Sequence, residues 1–174
     1  MRSKDLIKSM TLTILLLVIL DIISTAVLPA LGFYKIKLPF NILIILYLGF
    51  NINNSILPFL ILILQYFHAA FSIEGWSYGT FAGVFICMLI GYLKELLDFS
   101  TMISTIIVTQ VFQCVWFLVT SILIYLRSGN FPFIIDRFWR FLPESLIISI
   151  MSPLFFALLS RIWRPERYKA EVDF

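Results

Sequence analysis

Charge is what this sequence has least of. Only 13% of its 174 residues are Asp, Glu, Lys or Arg, against about 25% in an ordinary soluble domain. Histidine occurs once, cysteine twice, and the 7 Gly and 7 Pro are scattered. Each shortage excludes something. One histidine cannot make a paired metal site, and no H-E-x-x-H, C-x-x-C, P-loop or G-x-S-x-G spacing occurs, which removes the chemistries those motifs carry. Cys87 and Cys114 both lie inside apolar runs, where a cysteine is a small packing residue rather than half of a disulfide framework. No catalytic residue, metal or cofactor is expected, and the chain reads as a non-enzyme.

What is present is hydrocarbon. Hydrophobic residues make up 61% of the chain and the mean hydropathy is +1.00. A globular domain of this size cannot bury such an excess, since much of its surface stays wet. Disorder is excluded by the same figures. The composition implies an all-α integral membrane protein, a single transmembrane domain over residues 1–174.

The runs divide the chain. A basic start leads into Lys8–Leu31, which Asp21 interrupts and which lacks a small-residue cleavage site, so it reads as an uncleaved first span closed by Pro29 and Gly32. Leu38–Phe50 is apolar but short, roughly 20 Å as a helix against a hydrocarbon core of roughly 30 Å. After Asn51–Asn54 comes Ser55–Ile73, so this pair reads as a short helix plus a fuller one, or as a re-entrant hairpin. Gly79–Phe99, Thr101–Leu126 and Glu144–Trp163 complete a bundle of about six helices. Between the last two, Phe131, Phe133, Phe138, Trp139 and Phe141 alternate with Arg137 and Arg140, the composition of a short helix lying flat at the bilayer interface.

Six spans place Arg2, Lys4, Lys8, Lys94, Arg161, Arg164, Arg167 and Lys169 on one side, eight basic residues against five (Lys35, Lys37, Arg127, Arg137, Arg140). The positive-inside rule then makes that side, with both termini, cytoplasmic. Fusing the second and third runs changes the division to six against seven and removes the bias. Arg137, Trp139, Arg140, Arg161, Trp163 and Arg164 are the expected interface anchors, and Pro153 is expected to kink the last helix.

Two patterns inside the runs stand out. Gly79, Gly83, Cys87 and Gly91 recur every fourth residue, a smooth stripe that lets another helix approach closely, more readily within the chain than between chains. Asp21 lies near the middle of a span, where an ionised carboxylate is expensive and usually paired. Gln65 and Gln113 lie at similar depth on their helices, so a buried polar cluster of Asp21, Gln65 and Gln113 is expected, with His68 and Gln110 peripheral. Such a cluster serves as an interhelical hydrogen-bond network or, more sharply, as a proton or substrate site. Glu95 and Asp98, beside Lys94, read as an ordinary helix end rather than a catalytic pair.

Three pieces in order carry a family resemblance: Pro39, Asn41 and Tyr47 in LPFNILIILYLGF; Ile90-Gly91-Tyr92-Leu93-Lys94; and Leu142-Pro143-Glu144-Ser145 followed by Ser152-Pro153-Leu154 and Leu159-Ser160-Arg161. From Pro39 to Trp163 the chain resembles the rod-shape-determining MreD family. One segment departs from it: the family's third helix ends in glycine and aspartate, where this chain has LQYFHAAFS. The resemblance implies a bacterial inner-membrane component of the cell-elongation machinery, partnered with MreC and through it with MreB and the peptidoglycan polymerase–transpeptidase pair. It also implies the fold of the substrate-binding subunits of energy-coupling-factor vitamin transporters, which makes a vitamin-capture subunit the alternative. Against that alternative, the outward loops offer few polar groups (Glu74, Trp76, Asn130, Asp136), and the first helix is bulky.

Overall fold

The computed structural model describes residues 3–32, 37–52, 56–72, 75–93 and 101–163. Every element among them is helical, as hydrocarbon requires of a chain whose backbone N–H and C=O groups have no water to bond. Helix α1 (Ser3–Ile22) continues through a π turn (Ile23–Val27) into a last short turn, α2 (Leu28–Ala30). Pro29 accounts for the widened turn, because it brings no N–H and its ring crowds the carbonyl four residues back. Gly32, at φ +93°, then turns the chain out of the rod.

The remaining helices are α3 (Phe40–Asn51), α4 (Leu57–Ala69), α5 (Trp76–Leu93), α6 (Met102–Ser128) and α7 (Phe131–Ile162). Their ends follow local rules. Thr101 caps α6 by accepting from the Ser104 amide at 3.1 Å, and Asn130 caps α7 by accepting from the Phe133 amide at 3.2 Å. Gly129 between them takes the left-handed conformation, φ +62°, that ends a helix without a side-chain clash.

Among the described residues four rods are long and apolar enough to cross a membrane: Leu6–Ala30, Trp76–Leu93, Met102–Ser128 and Phe131–Ile162. The chain is therefore a multi-pass helical membrane protein. Helices α3 and α4 are shorter, 12 and 13 residues, or roughly 18–20 Å. The third run, expected to reach Ile73, is helical only to Ala69.

The expected flat surface helix is not found, because α7 is one helix of 32 residues that runs through both Pro143 and Pro153. Two local arrangements hold it. Phe117 of α6 stacks on Phe141 at 4.6 Å between centroids and contacts Phe138 at 5.8 Å, which keeps the first half of α7 against α6. At Pro153 the missing N–H would orphan the Ser149 carbonyl, and the Ser152 hydroxyl donates to that carbonyl at 2.7 Å.

Successive long rods alternate in direction. The Ser9 hydroxyl donates to the Ile162 carbonyl at 2.9 Å, so the start of α1 and the end of α7 share one end of the bundle. At the opposite end the Leu38 amide donates to Ser24 Oγ at 2.9 Å. Helix α3 sits in the middle, in contact with α1, α4, α5, α6 and α7. Its residues from Phe40 to Gly49 are buried without a break, as befits a helix that is apolar on every side.

Close approach to α3 depends on glycine. A Cβ at Gly83 would lie 2.8 Å from Ile61 Cγ2 and 3.1 Å from Ile45 Cδ1, and one at Gly49 would lie 2.8 Å from Ile90 Cδ1. The stripe on α5 thus packs inside the chain, from Gly79 through Gly83 to Cys87. It stops there: Gly91 is exposed with nothing within 4 Å of an added Cβ, because the helix has passed beyond Gly49 at the end of α3. Outside, Leu15, Phe81, Ile122 and Leu154 are exposed, forming an apolar exterior suited to lipid.

The glycine contacts make a direct comparison. Gly83→Leu is expected to cost about 1–3 kcal/mol of overpacking and to lower the melting temperature in detergent by roughly 5 °C. Gly91→Leu is expected to leave it unchanged, and equal losses at the two positions would contradict this packing.

Candidate functional site

The inward face of α1 is narrow and largely polar: Ser9, Thr13, Asp21 and Ser24 are buried together with Met10 and Leu17. These positions follow the three- and four-residue steps of one helix face. The hydroxyls are satisfied locally or across helices, as where Thr13 Oγ1 donates to the Ser9 carbonyl at 2.8 Å and accepts from Trp163 Nε1 at 2.8 Å. Trp163, expected at the lipid interface, is instead 5% exposed. It faces inward because its N–H finds a buried acceptor on α1, which sews the end of α7 to the start of α1.

Asp21 is 1% exposed, and its Oδ2 lies 2.8 Å from Nδ1 of His68 on α4. The sole histidine of the chain is thus the direct partner of the one acidic residue deep in α1, not a peripheral member of a glutamine cluster. Gln65, one helical turn before His68, accepts from Asn41 Nδ2 of α3 at 3.5 Å and packs on the bare backbone of Gly79. Asn41 Oδ1 and Gln65 Nε2 are buried without a hydrogen-bond partner, one acceptor and one donor left over in the same layer.

Gln113 belongs to a separate network. Its Nε2 donates to Ser149 Oγ at 2.9 Å and to the Ser145 carbonyl at 3.3 Å. Gln110 completes that network, donating to Ser145 Oγ at 3.1 Å and accepting from Ser149 Oγ at 2.8 Å. The expected cluster of Asp21, Gln65 and Gln113 is therefore corrected into three sites: Asp21 with His68, Gln65 with Asn41, and Gln113 with the α7 serines. The reason is azimuth. Helix α1 packs on α3, α4 and α7, whereas α6, which carries Gln113, packs on α3, α5 and α7.

Beside the Asp21–His68 pair lies a clasp between loops and helices. The Lys37 amide donates to Glu144 Oε1 of α7 at 2.8 Å. The Lys37 ammonium donates to the Phe71 carbonyl, and the Phe71 amide donates to the His68 carbonyl at 3.0 Å. Ionisable groups from α1, α4, α7 and the segment before α3 thus gather toward one end of the bundle.

The other expected anchors divide. Trp139 is exposed, and Arg140, also exposed, pairs with Asp136 at 3.0 Å. Arg161 is exposed at the other end of α7. Arg137 turns inward instead: its Nη2 donates to Thr120 Oγ1 at 3.0 Å and its guanidinium sits 5.5 Å from the Phe117 ring centroid. Arg164, Lys35, Glu74, Lys94, Glu95 and Asp98 lie outside the described residues. Trp76 and Asn130 are exposed.

Sequence reasoning missed the serines of α7 and the threonines of α6. Ser145, Ser149 and Ser152, like Thr105, Thr109 and Gln113, are spaced by three or four residues and all buried. That spacing of small polar residues is a packing signal in a membrane helix as good as the glycine stripe. An apolar cleft of about 160 Å³ between α5 and α6, lined by Leu89, Ile107, Val111 and Phe112 among others, offers no polar group. Among the described residues no group of three or more His, Cys, Asp or Glu side chains could hold a metal ion. No protein-family model, curated protein or solved structure matches the chain.

A buried pair is tested by breaking it and then removing it. His68→Leu strands the Asp21 carboxylate and is expected to cost about 3–5 kcal/mol, read as a large loss of melting temperature. Adding Asp21→Leu is expected to restore most of it. A double variant as unstable as the single would show that the two residues do not act as a pair.

Proposed function

We propose that this chain is a non-enzymatic component of the bacterial cell-elongation machinery, resident in the inner membrane with both termini cytoplasmic, and acting through protein partners. In this reading the helices form six segments like those of the substrate-binding subunits of energy-coupling-factor transporters. Its partners are MreC and, through it, MreB and the peptidoglycan polymerase–transpeptidase pair. The observation that carries the reading is where the MreD-like motifs fall on the helices. Pro39 caps α3 and Asn41 lies in its first turn, Ile90-Gly91-Tyr92-Leu93 closes α5, and Ser152-Pro153-Leu154 lies in the second half of α7. Two of the motifs thus fall at the entry of the central helix and the close of α5, and the third lies within α7.

The chemistry of the bundle favours such a role. Asp21, Gln110, Gln113 and Arg137 all engage partners on other helices of the chain, while the exterior is hydrocarbon. A protein built this way acts by what it packs against.

A second reading, a substrate-capture subunit of a vitamin transporter, draws on one observation: Asn41 and Gln65 meet inside the bundle and keep an unused acceptor and donor. A pocket with a few convergent polar groups is what a small ligand needs.

Depletion of the protein from a rod-shaped host separates the two. The first reading expects cells that widen and round, rescued by the intact gene. Normal shape with a new vitamin requirement would overturn it in favour of the second.

A further inference from the structure

The polar contacts between helices in this bundle differ in what they join. Gln110 and Gln113 of α6 meet the serines of α7 as neutral amides and hydroxyls, and Arg137 of α7, a permanent cation, donates to the Thr120 hydroxyl of α6. The contact between α1 and α4 joins two ionisable groups, Asp21 and His68, at 2.8 Å. We propose that Asp21 and His68 form a reversible proton-binding site, and that the proton held there fastens α1 to the rest of the bundle. The inference stands independently of the wall-machinery reading.

Burial supplies the driving force. The Asp21 side chain is 1% exposed and that of His68 11%. A carboxylate beside a neutral imidazole leaves a net charge of −1 in a medium that solvates charge poorly. One proton taken from water converts the pair to carboxylate and imidazolium, net charge zero, with the Nδ1–H donated to Oδ2. The imidazole suits this task because it has two nitrogens: Nδ1 is committed to Asp21, and Nε2 remains as the second protonation site.

Position supplies the access. His68 is the next-to-last residue of α4, and the described chain leaves the helix within four residues of it. It is the more exposed member of the pair, so protons reach Asp21 through the imidazole. The charged and titratable groups around this end come from each neighbouring element: Lys37 ahead of α3, Glu144 on α7, and Tyr78 on α5, the last bonded to Arg127 of α6 at 3.1 Å. Lys37 and Glu144 are bonded to backbone groups, the Phe71 carbonyl and the Lys37 amide, so the loop beside His68 is pinned independently of the pair. Lys35 and Glu74 belong to adjoining segments outside the described residues.

The consequence falls on α1. Its buried face is narrow, and the pair is its ionic attachment to α4. Losing the proton leaves an uncompensated buried charge at that attachment, which weakens the docking of α1.

A single histidine makes the test direct. The full chain, labelled with nitrogen-15 histidine and held in lipid nanodiscs, is followed by NMR from mildly acid to alkaline buffer. The expected result is conversion of His68 from an imidazolium to a neutral ring, with the melting temperature falling by roughly 5 °C or more over the same range. Asp21→Asn is expected to lose the imidazolium signal in buffer where the intact chain retains it. A ring that keeps one protonation state across the range, or an Asp21→Asn variant that keeps the imidazolium as the intact chain does, would overturn the proposal. The spectra of the unmodified chain decide it even where a variant does not fold.

Discussion

A helix too short to cross the bilayer has to be enclosed by protein. Helix α3 has 12 residues, roughly 18 Å against a core of roughly 30 Å, so the backbone at one end or both stops at membrane depth. Irregular backbone is tolerated there only when other segments shield it. The rest of the fold answers this constraint. Helices α1, α4, α5, α6 and α7 surround α3, and the residues that let them close around it are small: Gly83 facing Ile45, Gly49 facing Ile90. Once enclosed, α3 can be apolar on every side, which is why ten consecutive residues of it are buried.

The polar side chains follow from the same enclosure. Helices that surround a core present a narrow inward face, and lipid on the other side supplies no hydrophobic incentive to stay together. Hydrogen bonds and one ionisable pair take that part. Thr13 with Trp163 joins α1 to α7, Gln113 with Ser149 joins α6 to α7, Asn41 with Gln65 joins α3 to α4, and Asp21 with His68 joins α1 to α4. The three neutral contacts rigidify. The ionisable one alone of these four responds to its surroundings, and it sits on the rod whose buried face is narrowest.

Much of this was legible in the sequence, and the failures have physical causes. Span positions came from runs of hydrocarbon and from the turn that Gly32 makes at φ +93°, just after Pro29. The stripe of Gly79, Gly83 and Cys87 was legible because helical spacing fixes which residues share a face. Partnership was not, because depth along a helix says nothing of the direction a face points. Gln113 has the right depth to meet Asp21 and the wrong helix around it, whereas His68 lies a turn further along and faces α1. The long α7 was misread for a related reason. Pro143 and the aromatic–arginine segment before it look like a break followed by a surface helix, yet Phe117 on another helix holds that segment in line by stacking on Phe141. That contact is invisible until α6 and α7 are paired.

The enclosure of α3 is best measured by transfer of magnetisation from lipid acyl-chain protons to the protein in a bilayer. The account predicts rapid transfer to Leu15, Ile122 and Leu154, which face outward. It predicts slow, relayed transfer to Ile42, Ile44, Leu46 and Leu48 of α3. Acyl-chain magnetisation reaching those α3 residues as fast as the outward-facing ones would contradict it.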